Sequence, residues 1–113
     1  MLRQRSPRQH SDKHLDFIRG LPCVACMNNI QTEAAHVRCG DLRAAKEWCE
    51  GVGRKPHDRW AVPLCSACHR LQHEIGEEKF WAHVGIIPAF LALALHSVSG
   101  DHEAGETIIK AWQ

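Results

Sequence analysis

The sequence predicts a small α+β domain: two short strands and a helix form a zinc-stapled core, with further helices on its flanks. Three observations predict it. Cys23-Val-Ala-Cys26 and Cys65-Ser-Ala-Cys68 are two pairs of thiols with the same spacing. Two short segments that read as strands, around Thr32–Arg38 and Asp58–Leu64, precede a helix that starts near Ser66. The 113-residue length leaves room for one modest core, which a metal staple would help to hold.

The chain opens on MLRQRSPRQH, polar, aperiodic and interrupted by Pro7, which reads as a basic mobile arm over residues 1–10. Residues 11–113 are expected to form one domain. Ser11 is placed to cap a short helix with Leu15 and Ile18 facing inward, ended by Gly20 and by Pro22, which disfavours helix at Leu21. That helix delivers the chain to Cys23 and Cys26. Met27-Asn28-Asn29 follows them, and asparagine tolerates the left-handed backbone such a turn needs. Cys23, Cys26, Cys65 and Cys68 are therefore expected to hold one structural zinc through four thiolates. Cys39 and Cys49 stand alone and are left unassigned.

Thr32–Arg38 is partly β-branched and puts His36 near a strand end. Residues 39–57 read as a long connection with Gly40, Gly51, Gly53 and Pro56, and Leu42–Trp48 as a helical turn or two. Arg43, Lys46, Arg54 and Lys55, beside Arg38, make the connection basic. Contact with a phosphate backbone by Arg38, Arg43, Arg54, Lys55 and Arg59 stands beside the plainer reading of a solvated surface. The second strand carries Trp60 and Val62 on one face and Ala61 on the other, with Pro63 at an edge or an end. In a helix running on from Ser66, His69 and His73 are four residues apart on one face, where both can reach one ion.

This order of elements resembles the HNH endonucleases, most closely their prophage-type members with added cysteine pairs. AAHVR, GRKPHDRW and VPLCSACHRLQH carry the likeness over roughly residues 21–81. The resemblance implies a ββα-metal fold and a metal-dependent endonuclease that hydrolyses phosphodiester bonds in DNA. His36 matches the general-base histidine, and His69 the last histidine of the motif, which binds the catalytic cation. His73 matches a second metal histidine found in some members. The chain departs from the pattern twice. Asp58-Arg59-Trp60 stands where many members have an asparagine, and Asp58 is the nearest group able to orient an imidazole or bind a cation. Ala35 occupies a position where many carry Asp or His.

The residue types suit that chemistry. A neutral imidazole can take a proton from water, and a divalent cation (Mg2+, Mn2+, Ni2+ or Zn2+) can neutralise charge gathering on a phosphate. The alternative is a zinc-stapled module that binds nucleic acid or protein without catalysis; it has no use for three clustered histidines.

After Gly76, Glu77–Val84 offers Phe80, Trp81 and Val84 as an apolar face. Two C-terminal helices are expected within about 88–111. The first, PAFLALALHSV, is apolar almost all round and needs a cover: the small core, or a second copy of the chain in a homodimer. Asp101 is placed to cap the last helix despite the interior Gly105. No apolar run reaches the ~18 residues of a membrane span, and the arginine-rich start lacks the features of a signal peptide. A cytoplasmic protein with reduced cysteines is the expectation, and its net charge of +1 says little about partners.

Overall fold

In a computed structural model of the chain, residues 11–37 and 58–113 are described. The expected basic arm and the turn at 42–48 lie outside the described residues, as do Cys39, Cys49, Arg38, Arg43, Arg54 and Lys55. The described residues form an α+β structure of five α-helices and one two-stranded sheet.

Helix α1 (Asp12–Arg19) begins where Ser11 Oγ accepts from the His14 amide at 3.2 Å, with Asp12 in the first turn and Arg19 in the last to complement the helix dipole. Its inner face is Leu15, Phe17 and Ile18 together with the polar His14, all buried. Leu21 and Pro22 then carry the chain into a reversal closed by two bonds, Met27 N–H to Cys23 O at 2.7 Å and Cys23 N–H to Asn28 O at 2.9 Å. The left-handed residue of this turn is Met27 (φ 65°), not either asparagine. With both bonds converging on Cys23, the change of direction falls at Met27, and Asn28 uses its Oδ1 to accept from Ile30 N–H at 2.8 Å.

Strand β1 (Thr32–His36) pairs antiparallel with β2 (Ala61–Cys65), Thr32 opposite Cys65 and His36 opposite Ala61. A single 3-10 turn, Asp58–Trp60, leads into β2, so the second strand starts later than the expected Asp58. Every residue of β2 is buried, which overrides the expected two-faced pattern. The reason is cover on more than one side: α1 and helix α4 (Pro88–Ser97) both pack on this strand. Pro63 is tolerated because a two-stranded sheet has only edges, and its carbonyl still accepts from Val24 N–H at 3.1 Å.

Helix α2 (Ser66–Ile75) starts directly from β2, with Cys65 Sγ accepting from Cys68 N–H at 3.5 Å, and stops at Gly76, whose φ of 95° suits glycine. Helix α3 (Glu77–Val84) buries Phe80 and Trp81 and ends on the left-handed Gly85. In α4, Pro88, Ala89, Leu91, Ala92 and Leu95 face the core, while Phe90 and Leu93 remain exposed beside Ile87. Most of the cover this apolar helix requires thus comes from the domain itself. Helix α5 (His102–Trp112) is capped by Asp101 Oδ1, which accepts from Ala104 N–H at 3.1 Å. Gly105 explains itself here: a Cβ would stand 2.8 Å from Leu21 Cδ2 and 3.0 Å from Phe17 Cζ, so the missing side chain lets α5 lie against the end of α1. No single described helix is long and apolar enough to cross a membrane.

Candidate metal centre and histidine–carboxylate pairs

The hairpin and its two flanking turns bring all four predicted cysteines together. Thr32 pairs with Cys65 at the open end of the hairpin, the 23–28 reversal lies over that end, and the first turn of α2 returns Cys68 to it. The four Sγ atoms lie within 4.8 Å of one another, and Cys26 Sγ is 3.7 Å from Cys65 Sγ. Four sulfurs ~2.3 Å from one tetrahedral zinc would stand ~3.8 Å apart. None of the four is in a disulfide. The cluster therefore has the composition and spacing to hold a metal ion such as zinc.

Its electrostatics agree. Burial and the neighbouring thiols push Cys68 far above the ordinary thiol range, and burial raises Cys26 as well. Burial opposes the charge at Cys65 too, but there the Cys68 amide and the other thiols donating to Sγ outweigh it and hold the thiol below its usual value. A divalent ion can take the place of the protons that burial favours on Cys26 and Cys68.

At the opposite end of β1, His36 Nε2 is 2.8 Å from Asp58 Oδ1. The carboxylate can only accept, so the ring donates from Nε2. The other oxygen, Oδ2, accepts from the backbone N–H of Ser11 at 2.7 Å. Asp58 is 1 % exposed and His36 20 %. Of the two roles open to Asp58 in the sequence, orienting an imidazole is the one its geometry serves: one oxygen holds the ring and the other holds the start of α1. Beside it Arg59 is exposed, with its guanidinium 5.7 Å from the centre of the Trp60 ring.

His69 and His73 lie one turn apart on α2, as their spacing predicts, with ring centres 4.9 Å apart. His69 has a partner the sequence reading did not single out, Glu33, whose Oε1 is 2.7 Å from His69 Nδ1. No local signal marks it: Glu33 is an exposed acid in β1, and only the return of α2 brings His69 beside it. Among the described residues, the cysteine quartet is the one group of three or more donors already drawn together. Asp58 is not gathered with His69 and His73.

A small α+β protein with a four-cysteine cluster that could hold a metal ion and two histidine–carboxylate pairs is what the fold and site define. The chain belongs to the family described as "Protein of unknown function (DUF968)", whose model matches residues 1–97. No curated protein and no solved structure matches it.

Proposed function

We propose that the protein is a metal-dependent DNA endonuclease of the HNH type, with His36 as general base and a divalent cation on His69 and His73. The observation that carries this reading is the His36–Asp58 pair and its place in the chain. Ser11, where the basic arm joins the domain, donates its amide to Asp58. In sequence, the basic segment 38–57 lies between Val37, one residue beyond His36, and Asp58. Both basic stretches thus adjoin, in sequence, residues at or next to one histidine held by a buried carboxylate, which is where a polyanion would need to be gripped for His36 to act on it.

Asp58 fixes the His36 ring with Nε2 protonated, so the nitrogen that takes a proton from water is Nδ1. Arg59, exposed next to Asp58, is placed to meet a phosphate, with Arg38, Arg43, Arg54 and Lys55 contributing from the connecting segment. The donor set at α2 fits a catalytic cation in kind: two imidazoles on one helix face, one of them already held by a carboxylate. When bound, such a cation supplies electrostatic stabilisation of the phosphate and of the leaving oxygen. The cysteine quartet takes a structural zinc that ties the 23–28 reversal to the hairpin and to the start of α2.

A zinc-stapled binding module accounts for the cysteines and the basic stretches equally well. It gives no role to a partly exposed histidine held at 2.8 Å by a carboxylate that is 1 % exposed. Incubation of the zinc-loaded protein with supercoiled plasmid, single-stranded DNA and branched DNA, with Mg2+, Mn2+ or Ni2+ added in turn, tests the two readings. Metal-dependent nicking or cutting is the result expected of a nuclease; binding without strand scission in every metal would leave the module.

A further inference from the structure

Glu33 touches His69 in a contact that neither the cysteine cluster nor the His36–Asp58 pair employs. We propose that Glu33 is a positioning residue for His69: its carboxylate accepts the proton of His69 Nδ1 and so turns Nε2 toward the cation. The inference rests on the cation reading of His69 and His73 given above.

The geometry is specific. Glu33 Oε1 stands 2.7 Å from Nδ1, and a carboxylate can only accept, so the proton is on Nδ1 and the lone pair on Nε2. The contact joins β1 to α2 across the sequence, between a strand residue paired with Leu64 and the first turns of the following helix. Glu33 is not there to fill the core. It is half exposed, and its neighbours Ala34 and Ala35 show that the strand accepts a methyl side chain at adjacent positions. Metal-binding histidines commonly donate their second N–H to a carboxylate, which fixes the tautomer and the plane of the ring. His73, one turn further on with its ring centre 4.9 Å away, supplies the second imidazole.

Nuclear magnetic resonance of the zinc-loaded full chain tests this without relying on cleavage. Long-range nitrogen–proton correlations report which nitrogen of His69 carries the proton, and titration with Mn2+ broadens imidazole signals near a bound ion. The parent should show His69 protonated on Nδ1, with its signals and those of His73 broadened by Mn2+. Glu33→Ala should move the proton to Nε2, the nitrogen an unconstrained imidazole prefers. It should also raise the Mn2+ midpoint about 10-fold, the low end for losing such an outer partner, since this carboxylate is half exposed. Glu33→Gln, whose amide oxygen can still accept, should restore the Nδ1 proton and most of the affinity.

If Glu33→Ala leaves tautomer and midpoint as in a parent that does bind Mn2+, the positioning role is overturned while the cation reading stands. Lost affinity in both variants with an unchanged tautomer would also overturn it, making Glu33 a ligand itself. A parent whose His69 and His73 signals ignore Mn2+ overturns the cation reading and this proposal together. Unchanged zinc content in both variants shows that the fold is intact.

Discussion

Replacing Asp58 by asparagine separates the role of its charge from that of its shape. The side chain is 1 % exposed, with Oδ2 accepting from Ser11 N–H at 2.7 Å and Oδ1 facing His36 Nε2 at 2.8 Å. Asparagine has one acceptor and one donor at these two positions. Ser11 N–H needs the acceptor, so the amide NH2 is turned toward His36 and Nε2 must become the acceptor. The ring then carries its proton on Nδ1, the nitrogen proposed to receive the proton from water. The same carboxylate-to-amide change behind a catalytic imidazole elsewhere costs ~10⁴ in rate by imposing the wrong tautomer, and a loss of at least ~10² is expected here. Both hydrogen bonds survive in neutral form. The charge-assisted part of each is lost, partly offset by no longer burying a charge, so the net stability cost is about 1 kcal/mol and the melting temperature falls by roughly 4 °C. Single-turnover nicking of supercoiled plasmid beside a thermal melt measures both. An Asp58→Asn protein that melts near the parent and nicks at the parental rate would refute the tautomer argument.

Three further changes probe the fold. Cys65→Ser should reduce bound zinc from one per chain to none and leave no cooperative melt, because structural zinc supplies ~10–16 kcal/mol against a typical domain stability of ~5–15 kcal/mol; metal analysis and calorimetry check it. Gly105→Ala gains about 1 kcal/mol of helix propensity but forces a methyl to 2.8 Å from Leu21, which is fully buried, so a net loss of about 1 kcal/mol is expected in a urea titration. His14 is buried with Nδ1 2.7 Å from Ser99 Oγ, and its pKa is lowered by burial first and then by His96, with Asp58 pulling weakly the other way. Below its ordinary value of 6.5 the unfolded chain takes up a proton that the folded one refuses, so stability is lost as pH falls from there toward the lower folded value. Urea midpoints at pH 7.5 and 5.0 should therefore differ less in His14→Gln than in the parent.

The parts of this fold that are legible in the sequence are those fixed by local chemistry. Ser11 and Asp101 each cap a helix because a short acceptor precedes an amphipathic run, and the CxxC pairs meet because one spacing at two hairpin-linked places suits one ion. What was not legible depends on contacts between distant segments. Left-handed backbone was expected at asparagine and fell at Met27, since two bonds to Cys23 set where the chain reverses. The strand containing Val62 and Leu64 was expected to have two different faces, but α1 and α4, both distant from it in sequence, pack on it and every residue is buried. Gly105 looked like a defect in a helix until the packing of Leu21 and Phe17 showed what it admits. At the site, Asp58 had two chemically reasonable roles, and its amide bond from Ser11 favours one of them. Glu33 was passed over because an exposed acid in a strand has no distinguishing local feature; only the return of α2 brings His69 to it.

In the proposed mechanism His36 is a general base rather than one member of a structural ion pair. The most direct measurement is metal-supplemented cleavage of supercoiled plasmid by His36→Ala, scored beside its zinc content and its DNA affinity. Zinc and DNA binding should match the parent, while the cleavage rate falls ~10²–10⁴-fold at every concentration of added metal. Cleavage at the parental rate under matched metal and pH would contradict the account.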